Sequence, residues 1–566
     1  MLSGADHFLP RHLASSMVAQ QESHHKLISL QRPALEPAYD LHCMEVIATI
    51  DQGTQSTRVY LYNREAHPIA SHHVEFTQHR ERAGWIEHDP AEIWQGVQEC
   101  IQQAVKTAEK EHGMLNIKAI GITNQRETTV VWDKASGKPL HNAIVWMDSR
   151  TEQICADMEK RFGSKDHFRP VTGLPISTYF TSYKLKWLMD NVPTVSKAIS
   201  SNQAYLGTMD TWLIYKLTGG AEGGAYVTDV SNAARTNLMD IRSRKWHPET
   251  CRTFGLQADM LAEIRSNAEV YGHVKEGPFK GVPIAGCLGD QHAALLGQRC
   301  KPQQAKNTYG TGCFLLLNTG EEPQESKHGL LTTIAYQLGP KEAPQYALEG
   351  SIAIGGAGVT WLRDQMGLIK SAEDSEVVAS SVRDTAGVYF VPAFGGLLAP
   401  HWQGDARGVI VGLTSYTNKA HIVRALLQAI CWQAREVMDA MQRDADFSQV
   451  QLLKVDGGAS NNNLLMQMQA DALQIPVHRP SHLETTSLGA AFAAGIGVGF
   501  WTKDWVLNAD PDRSHTQQHI DSSQSHVWHP QVDKDTISRQ YSKWQKAVKL
   551  SFGLADLAEP DQPSES

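Results

Sequence analysis

The chain of 566 residues contains no Cys-x-x-Cys pair. Its eight cysteines stand singly at Cys43, Cys100, Cys155, Cys251, Cys287, Cys300, Cys313 and Cys431. That spacing argues against a structural zinc site. Isolated cysteines in a long chain without a secretory signal fit a reducing, cytoplasmic setting. Basic residues are in the minority, 52 Lys and Arg against 61 Asp and Glu, for a net charge of −9. Broad binding to nucleic acid or an anionic membrane is not expected from that balance, because both need concentrated positive charge. Long apolar runs are missing as well. The longest weakly polar stretch, Gly489 to Trp501, is too short to cross a bilayer. No phosphate loop ending in Gly-Lys-Ser/Thr occurs, so any nucleotide must be held by a different turn.

What is present is a globular composition, 41% hydrophobic and 20% charged, in a chain too long for one ordinary core. Residues 1–44 differ from the rest. They are rich in His, Gln and Ser, and set Arg11, Lys26 and Arg32 against Asp6, Glu22, Glu36 and Asp40. A mitochondrial transit peptide is Arg-rich and acid-poor. A disordered extension, or a start at Met44, is therefore the expectation, with mitochondrial association as the alternative. Regular structure is expected from Glu45. Val46 to Ile50 reads as a strand that runs into Asp51-Gln52-Gly53-Thr54, and Arg58 to Tyr62 as the strand that returns. Asp89-Pro90 signals a helix through Lys110, and Ile117 to Thr123 a buried strand feeding Asn124-Gln125-Arg126-Glu127. In the second half, a glycine turn inside Thr308–Asn318 precedes the apolar run Phe314 to Leu317. His421 to Met441 has the three-and-four spacing of an amphipathic helix, and Leu452 to Val455 leads as a strand into Asp456-Gly457-Gly458-Ala459. Tyr541 to Leu550 reads as a last helix, packed through Trp544 and Val548. Both halves thus repeat one device, a strand ending in a polar glycine turn. Two related α/β lobes around a cleft are the economical reading.

Four segments carry chemistry. In Asp51 to Arg58 a glycine turn permits close approach, Thr54, Ser56 and Thr57 offer hydroxyls, Arg58 offers a fork for phosphate, and Asp51 could hold magnesium through water. The bland alternative is a hairpin turn with satisfied polar groups. Gly289-Asp290-Gln291 follows a β-prone run and opens a helix, Gln291 to Gln298. Asp290 alone is an N-cap, a position that would also aim a carboxylate at a cleft. Tyr309-Gly310-Thr311-Gly312-Cys313 and Asp456-Gly457-Gly458-Ala459 could turn backbone amides toward a ligand, though paired glycines are commonly plain turns.

Taken in order, these segments resemble those of the FGGY carbohydrate kinases, whose ATPase core is shared with actin, hexokinase and the heat-shock ATPases. The resemblance covers about residues 45–550. Within the family it is nearest to the glycerol-phosphorylating members, through Gly121-Ile122-Thr123-Asn124-Gln125-Arg126-Glu127-Thr128-Thr129, Lys306-Asn307-Thr308-Tyr309-Gly310-Thr311-Gly312-Cys313-Phe314 and Gly329-Leu330-Leu331-Thr332-Thr333-Ile334-Ala335, and the loop Glu276 to Pro283 looks more like that of the eukaryotic members. It implies an α/β fold of two ribonuclease-H-like lobes, residues 45–298 and 299–550, with a disordered tail at 551–566. It implies ATP-dependent phosphorylation of glycerol with Mg2+, and a homo-oligomer, dimer or tetramer. By resemblance, Thr54, Gln55, Ser56 and Arg58 match the first phosphate turn, Thr311 and Gly312 the second, and Gly356 and Thr360 a nucleotide contact. Gly458 and Asn462 match the adenosine side. Arg126, Glu127, Tyr179, Asp290 and Gln291 match the glycerol site, and Trp146 and Phe314 its apolar wall. Asp290 matches the catalytic base, and Asp51 with Asp290 the magnesium site, largely through water. Gln55 and Thr360 depart from the commoner bacterial pattern. Gln55 stands where a second hydroxyl is usual, Thr360 where a longer polar side chain is. The loop Glu276 to Pro283 lacks the Gly-Gly-Thr-Arg pattern tied to fructose bisphosphate inhibition in bacterial members, so weak or no such inhibition is expected; a titration showing micromolar inhibition would contradict this. The rivals are a related kinase acting on a pentose, another polyol or gluconate, and a non-catalytic ATP-binding protein of the actin type.

Overall fold

A computed structural model describes residues 43–445, 450–508, 525–555 and 557. Most of the expected extension, 1–44, and most of the tail, 551–566, lie outside the described residues. Among the described residues no helix is long and apolar enough to cross a membrane.

The protein is α/β, built on two large sheets. The first runs in the order Gly272–His273, Pro283–Gly289, Leu115–Asn124, Met44–Gln52, Ser56–Tyr62, Pro68–Glu75. Its last three strands form an antiparallel meander, and Leu115–Asn124 and Pro283–Gly289 extend it in parallel. The second sheet runs Leu331–Tyr336, Gln345–Ile352, Cys313–Gly320, Ala305–Tyr309, Leu453–Asp456, Val477–Arg479, His526–Trp528. Here Ala305–Tyr309, Cys313–Gly320 and Gln345–Ile352 make the meander, with Leu453–Asp456 and Val477–Arg479 parallel beside it. Each sheet therefore carries the same five-strand order, 3-2-1-4-5, with extra strands at the edges. This is the ribonuclease-H-like plan in duplicate, as the sequence led us to expect.

Local chemistry explains the elements. Asp89 accepts from the Ala91 amide at 2.8 Å and Pro90 opens the helix Pro90–His112, whose apolar side lies on the first sheet. The helix Lys419–Asp444 begins at a capping box, with Asn418 accepting from the amides of Ala420 and His421. The helix Lys534–Lys549 buries Trp544 and Val548.

The stretch from Gly489 to Trp501, too short for a membrane, has another use. It lies largely in the helix Thr485–Gly497, which is apolar nearly all round and buried. That helix comes late in sequence yet packs on Met44–Gln52, Leu115–Asn124 and Pro283–Gly289 of the first sheet and on the helix Asp290–Gly297. The approach is close enough to require glycine. A Cβ on Gly489 would stand 1.8 Å from the Ala293 carbonyl oxygen, a backbone atom that cannot swing away. Overpacking costs about 1–3 kcal/mol even where side chains can yield. Gly489→Val should therefore lower the unfolding free energy from a urea melt by at least that much, with a lower midpoint. An unchanged midpoint would mean that the two helices slide apart freely.

Candidate active site

A cleft of about 480 Å3 lies between the ends of the two meanders. Its walls come from turns. On one side, Asp51 and Arg58 are paired across the first hairpin, and the turn between them is closed by the Gly53 amide donating to the Ser56 carbonyl at 2.9 Å. On the other, Gly310 donates to the Gly312 carbonyl at 2.9 Å, Gly355 to Thr311 at 2.9 Å and Gly356 to Gly310 at 2.8 Å, so the two glycine segments brace each other. Gly457 completes this side. Its φ of +84° and the 2.6 Å between a built Cβ and the Tyr309 carbonyl oxygen admit only glycine. Backbone amides, hydroxyls and one guanidinium thus converge where a polyphosphate could lie.

Beneath the turns is a buried charge network. Arg126 forks onto Glu349, Nη1 to Oε2 at 2.6 Å and Nη2 to Oε1 at 2.8 Å, and its Nε stands 3.3 Å from Asp290 Oδ1. Arg235 donates from Nε to Glu127 Oε1 at 2.6 Å, and its Nη1 lies 3.4 Å from Glu349. Arg126, Glu127, Arg235 and Glu349 are all at most 2% exposed. Burial works to raise Glu349, but Arg126 and Arg235 outweigh it and hold this carboxyl well below the usual range. Burial also raises Glu127, against the pull of Arg235 and Arg126. An aromatic wall borders the network: Trp146 meets Tyr179 and Phe314 edge-on at 5.6 and 5.7 Å, and its indole donates to Thr54 Oγ1 at 2.9 Å. Arg126 and Glu127 therefore do not pair with each other; each has its own partner.

Asp290 is the first residue of the helix Asp290–Gly297, with Gly289 rather than Asp290 as the cap residue. Its Oδ1 accepts from the Gln291 amide at 2.8 Å, and the carboxyl lines the cleft. Burial raises its pKa above the ordinary carboxylate value, opposed by Arg126 and Lys306. Burial pushes Asp51 up to about 7; Arg58 opposes this, while Glu484 and Asp290 add to it. Its ion pair with Arg58 is long, 4.0 Å, and Arg58 leans also toward Glu484 at 3.5 Å.

Of the residues singled out in the sequence, Asp51, Thr54, Gln55, Ser56, Arg58, Arg126, Glu127, Trp146, Tyr179, Asp290, Gln291, Thr311, Gly312, Phe314 and Gly458 all line this one cleft. Three do not. Gly356 sits just behind Gly310, Thr360 is exposed one turn along the helix Gly356–Asp364, and Asn462 is an N-cap. Both polar ends of Asn462 are engaged: Oδ1 accepts from the Leu465 amide at 2.8 Å and Nδ2 donates to Ser375 Oγ at 3.2 Å. Sequence reasoning passed over Glu349, Arg235 and Lys306. The available signal was a charge inside an apolar strand, as in Tyr346-Ala347-Leu348-Glu349-Gly350, which folding tolerates only when the charge is paired. A second buried carboxylate pair, Asp210 with Asp229, lies beside Cys287 away from the cleft. Its oxygens already accept from Thr208 at 2.5 Å, Thr228 at 2.6 Å, the Ser231 amide at 2.7 Å and Asn267 at 2.8 Å, the saturation of a structural hydrogen-bond centre.

Comparison with known proteins agrees with this geometry. Residues 46–297 match the N-terminal domain, and residues 305–498 the C-terminal domain, of the FGGY family of carbohydrate kinases. A glycerol kinase of Arabidopsis thaliana is 53% identical over 527 residues, covering 90% of this chain and 98% of that protein. Among solved structures, a Plasmodium falciparum glycerol kinase with ADP superposes with a TM-score of 0.79 at 38% identity, over 90% of this chain and 98% of that one. A gluconate kinase from Lactobacillus acidophilus reaches a TM-score of 0.72 over 90% of this chain and 97% of its own, but at 22% identity it speaks for the fold alone. The duplicated sheets, the shared cleft and these matches place the chain in the FGGY family of carbohydrate kinases.

Proposed function

We propose that the protein is a glycerol kinase, which transfers the γ-phosphoryl group of ATP to a terminal hydroxyl of glycerol and yields sn-glycerol 3-phosphate. The observation that carries this is one cleft holding both halves of the chemistry. Glycine turns with Arg58 lie along its upper wall, and a small pocket of Arg126, Glu127, Tyr179, Asp290 and Gln291 with an aromatic wall lies beneath. Glycerol is small, neutral and covered in hydroxyls. A closed site that pairs each hydroxyl with a charged or amide partner favours it over analogues that leave such partners bare. The likeness to the Arabidopsis and Plasmodium glycerol kinases supports the substrate.

In this reading Arg126 offers its remaining N–H groups to glycerol oxygens, while the fork to Glu349 keeps the guanidinium from turning. Trp146 and Phe314 cover the carbon backbone. Thr54, Ser56, Thr311 and Gly312 with Arg58 receive the phosphates; Gly458 faces the nucleoside, with Gly356, Thr360 and Asn462 at its margin. Asp290 accepts the proton of the attacking hydroxyl. Magnesium fits Asp51 and Asp290, hard oxygen donors without a close fork of their own, and would neutralise phosphate charge when bound. The high pKa of Asp51 fits the same role, since a carboxyl short of positive charge gains most from a cation. We assign residues 45–298 to the lobe carrying the glycerol side and 299–550 to the lobe carrying the nucleotide side.

The decisive assay couples ADP release to a readout, with and without glycerol, across glycerol, xylulose, ribulose and gluconate. ADP release should depend on the acceptor and be fastest with glycerol. Equal release without any acceptor, or preference for a pentose, would reject the assignment. The pH dependence should follow the base. Because Asp290 must be ionised and its pKa lies above the ordinary value, kcat/KM should fall with acid at a pH higher than a free carboxylate would give. A profile that falls no earlier than a free carboxylate would give would contradict a base with a raised pKa at this position.

A further inference from the structure

Lys306, on the strand Ala305–Tyr309, is fully buried beneath the cleft. Its Nζ donates to Gln291 Oε1 at 2.5 Å and to Thr308 Oγ1 at 2.8 Å. An ammonium can only donate, so the contact fixes which way the carboxamide points: its oxygen faces Lys306 and its NH2 faces away. Asp290 is the neighbour of Gln291 in the chain and lines the same cleft; the Asp290 carboxyl accepts from the Gln291 backbone amide at 2.8 Å, and the nearby Gln291 side chain helps to draw its pKa down against burial.

We propose that Lys306 is a positioning residue that acts through Gln291, holding its carboxamide as a donor toward Asp290 and the substrate hydroxyl. The inference rests on the phosphoryl-transfer reading above and deepens it. The attacking oxygen lies between a group that can only donate there, the Gln291 NH2, and one that can only accept, the Asp290 carboxylate. Its proton is therefore turned toward Asp290 before transfer begins. A carboxamide free to flip would present its oxygen to the cleft part of the time, repel the carboxylate and leave the hydroxyl proton unaimed.

The test is a double-mutant cycle between Lys306→Met and Gln291→Ala, read as kcat and KM for the acceptor and KM for ATP. Each single variant should lower kcat/KM for glycerol about 10²- to 10³-fold, the scale of losing one aligned donor, with KM for ATP held within about twofold. In the Gln291→Ala background, Lys306→Met should cost clearly less than in the unaltered protein, because only its direct charge effect on Asp290 is left to lose. Equal losses in both backgrounds would overturn the proposal. Gln291→Glu provides a second readout should Lys306→Met not fold. It keeps an oxygen for Lys306 but presents no N–H to the cleft, so kcat/KM should fall at least as far as in Gln291→Ala. Near-normal turnover of Gln291→Glu would show that the contact is merely structural and also overturn the proposal. If the unaltered protein phosphorylates another polyol or a sugar instead of glycerol, the substrate assignment fails separately, and the cycle is read on that acceptor.

Discussion

Replacing Asp290 by asparagine should lower kcat about 10²–10⁴-fold, the usual worth of a positioned general base, while glycerol still binds. The geometry makes this a clean substitution. The asparagine oxygen can keep the Gln291 amide at 2.8 Å and the Arg126 Nε at 3.3 Å, so the local frame stays intact. What disappears is an oxygen able to take a proton. The loss corresponds to about 3–5 kcal/mol of transition-state stabilisation. Glycerol affinity, measured by calorimetry in the presence of a non-hydrolysable ATP analogue, should stay within a few fold of the unaltered protein. Turnover near normal would reject Asp290 as the base and shift attention to Asp51. The acid limb of kcat/KM should also weaken in Asp290→Asn, because the carboxyl that must be ionised is gone.

The second large effect is expected at Glu349. This carboxylate is fully buried and is the fork partner of Arg126 and a close neighbour of Arg235. Glu349→Ala leaves two buried guanidiniums, Arg126 with only the 3.3 Å approach of Asp290 and Arg235 with only Glu127. Breaking a buried pair by removing one partner typically costs about 3–5 kcal/mol. Denaturant unfolding should show a loss on that scale, and acceptor turnover should collapse with it because Arg126 loses its anchor. Glu349→Gln should fall between the two, since an amide oxygen can still accept one N–H but carries no charge. The order alanine, glutamine, unaltered in rising stability is the expected result; a Glu349→Ala protein within about 1 kcal/mol of the original would show that water replaces the lost partner.

Much of the local structure was legible in the sequence. The first hairpin, the capped helix at Pro90, the glycine turn after Ala305–Tyr309 and the strand into Asp456 all lie close to where residue chemistry puts them, because each is decided within a few residues by turn preference, capping or alternation. The start of the helix at Asp290 was displaced by one residue. A cap and a first-turn acid look alike in sequence, and only backbone angles separate them. Gathering most of the nominated residues into a single cleft followed from their motifs, which sit at strand ends in both repeats of the fold.

The sequence by itself determined the two-lobed α/β plan, the glycine turns and the nomination of Asp290, Arg126 and Glu127. Only the tertiary structure decided what those side chains touch. Arg126 meets Glu349 across 223 positions, Glu127 meets Arg235 across 108, and Lys306 steers Gln291 from a separate strand. The helix Thr485–Gly497 likewise reaches back to pack on strands more than 350 residues earlier. The physical reason is range. Turns and caps are settled by neighbours along the chain, whereas a buried charge takes whichever partner the completed packing brings within about 3 Å, and no local pattern records that choice.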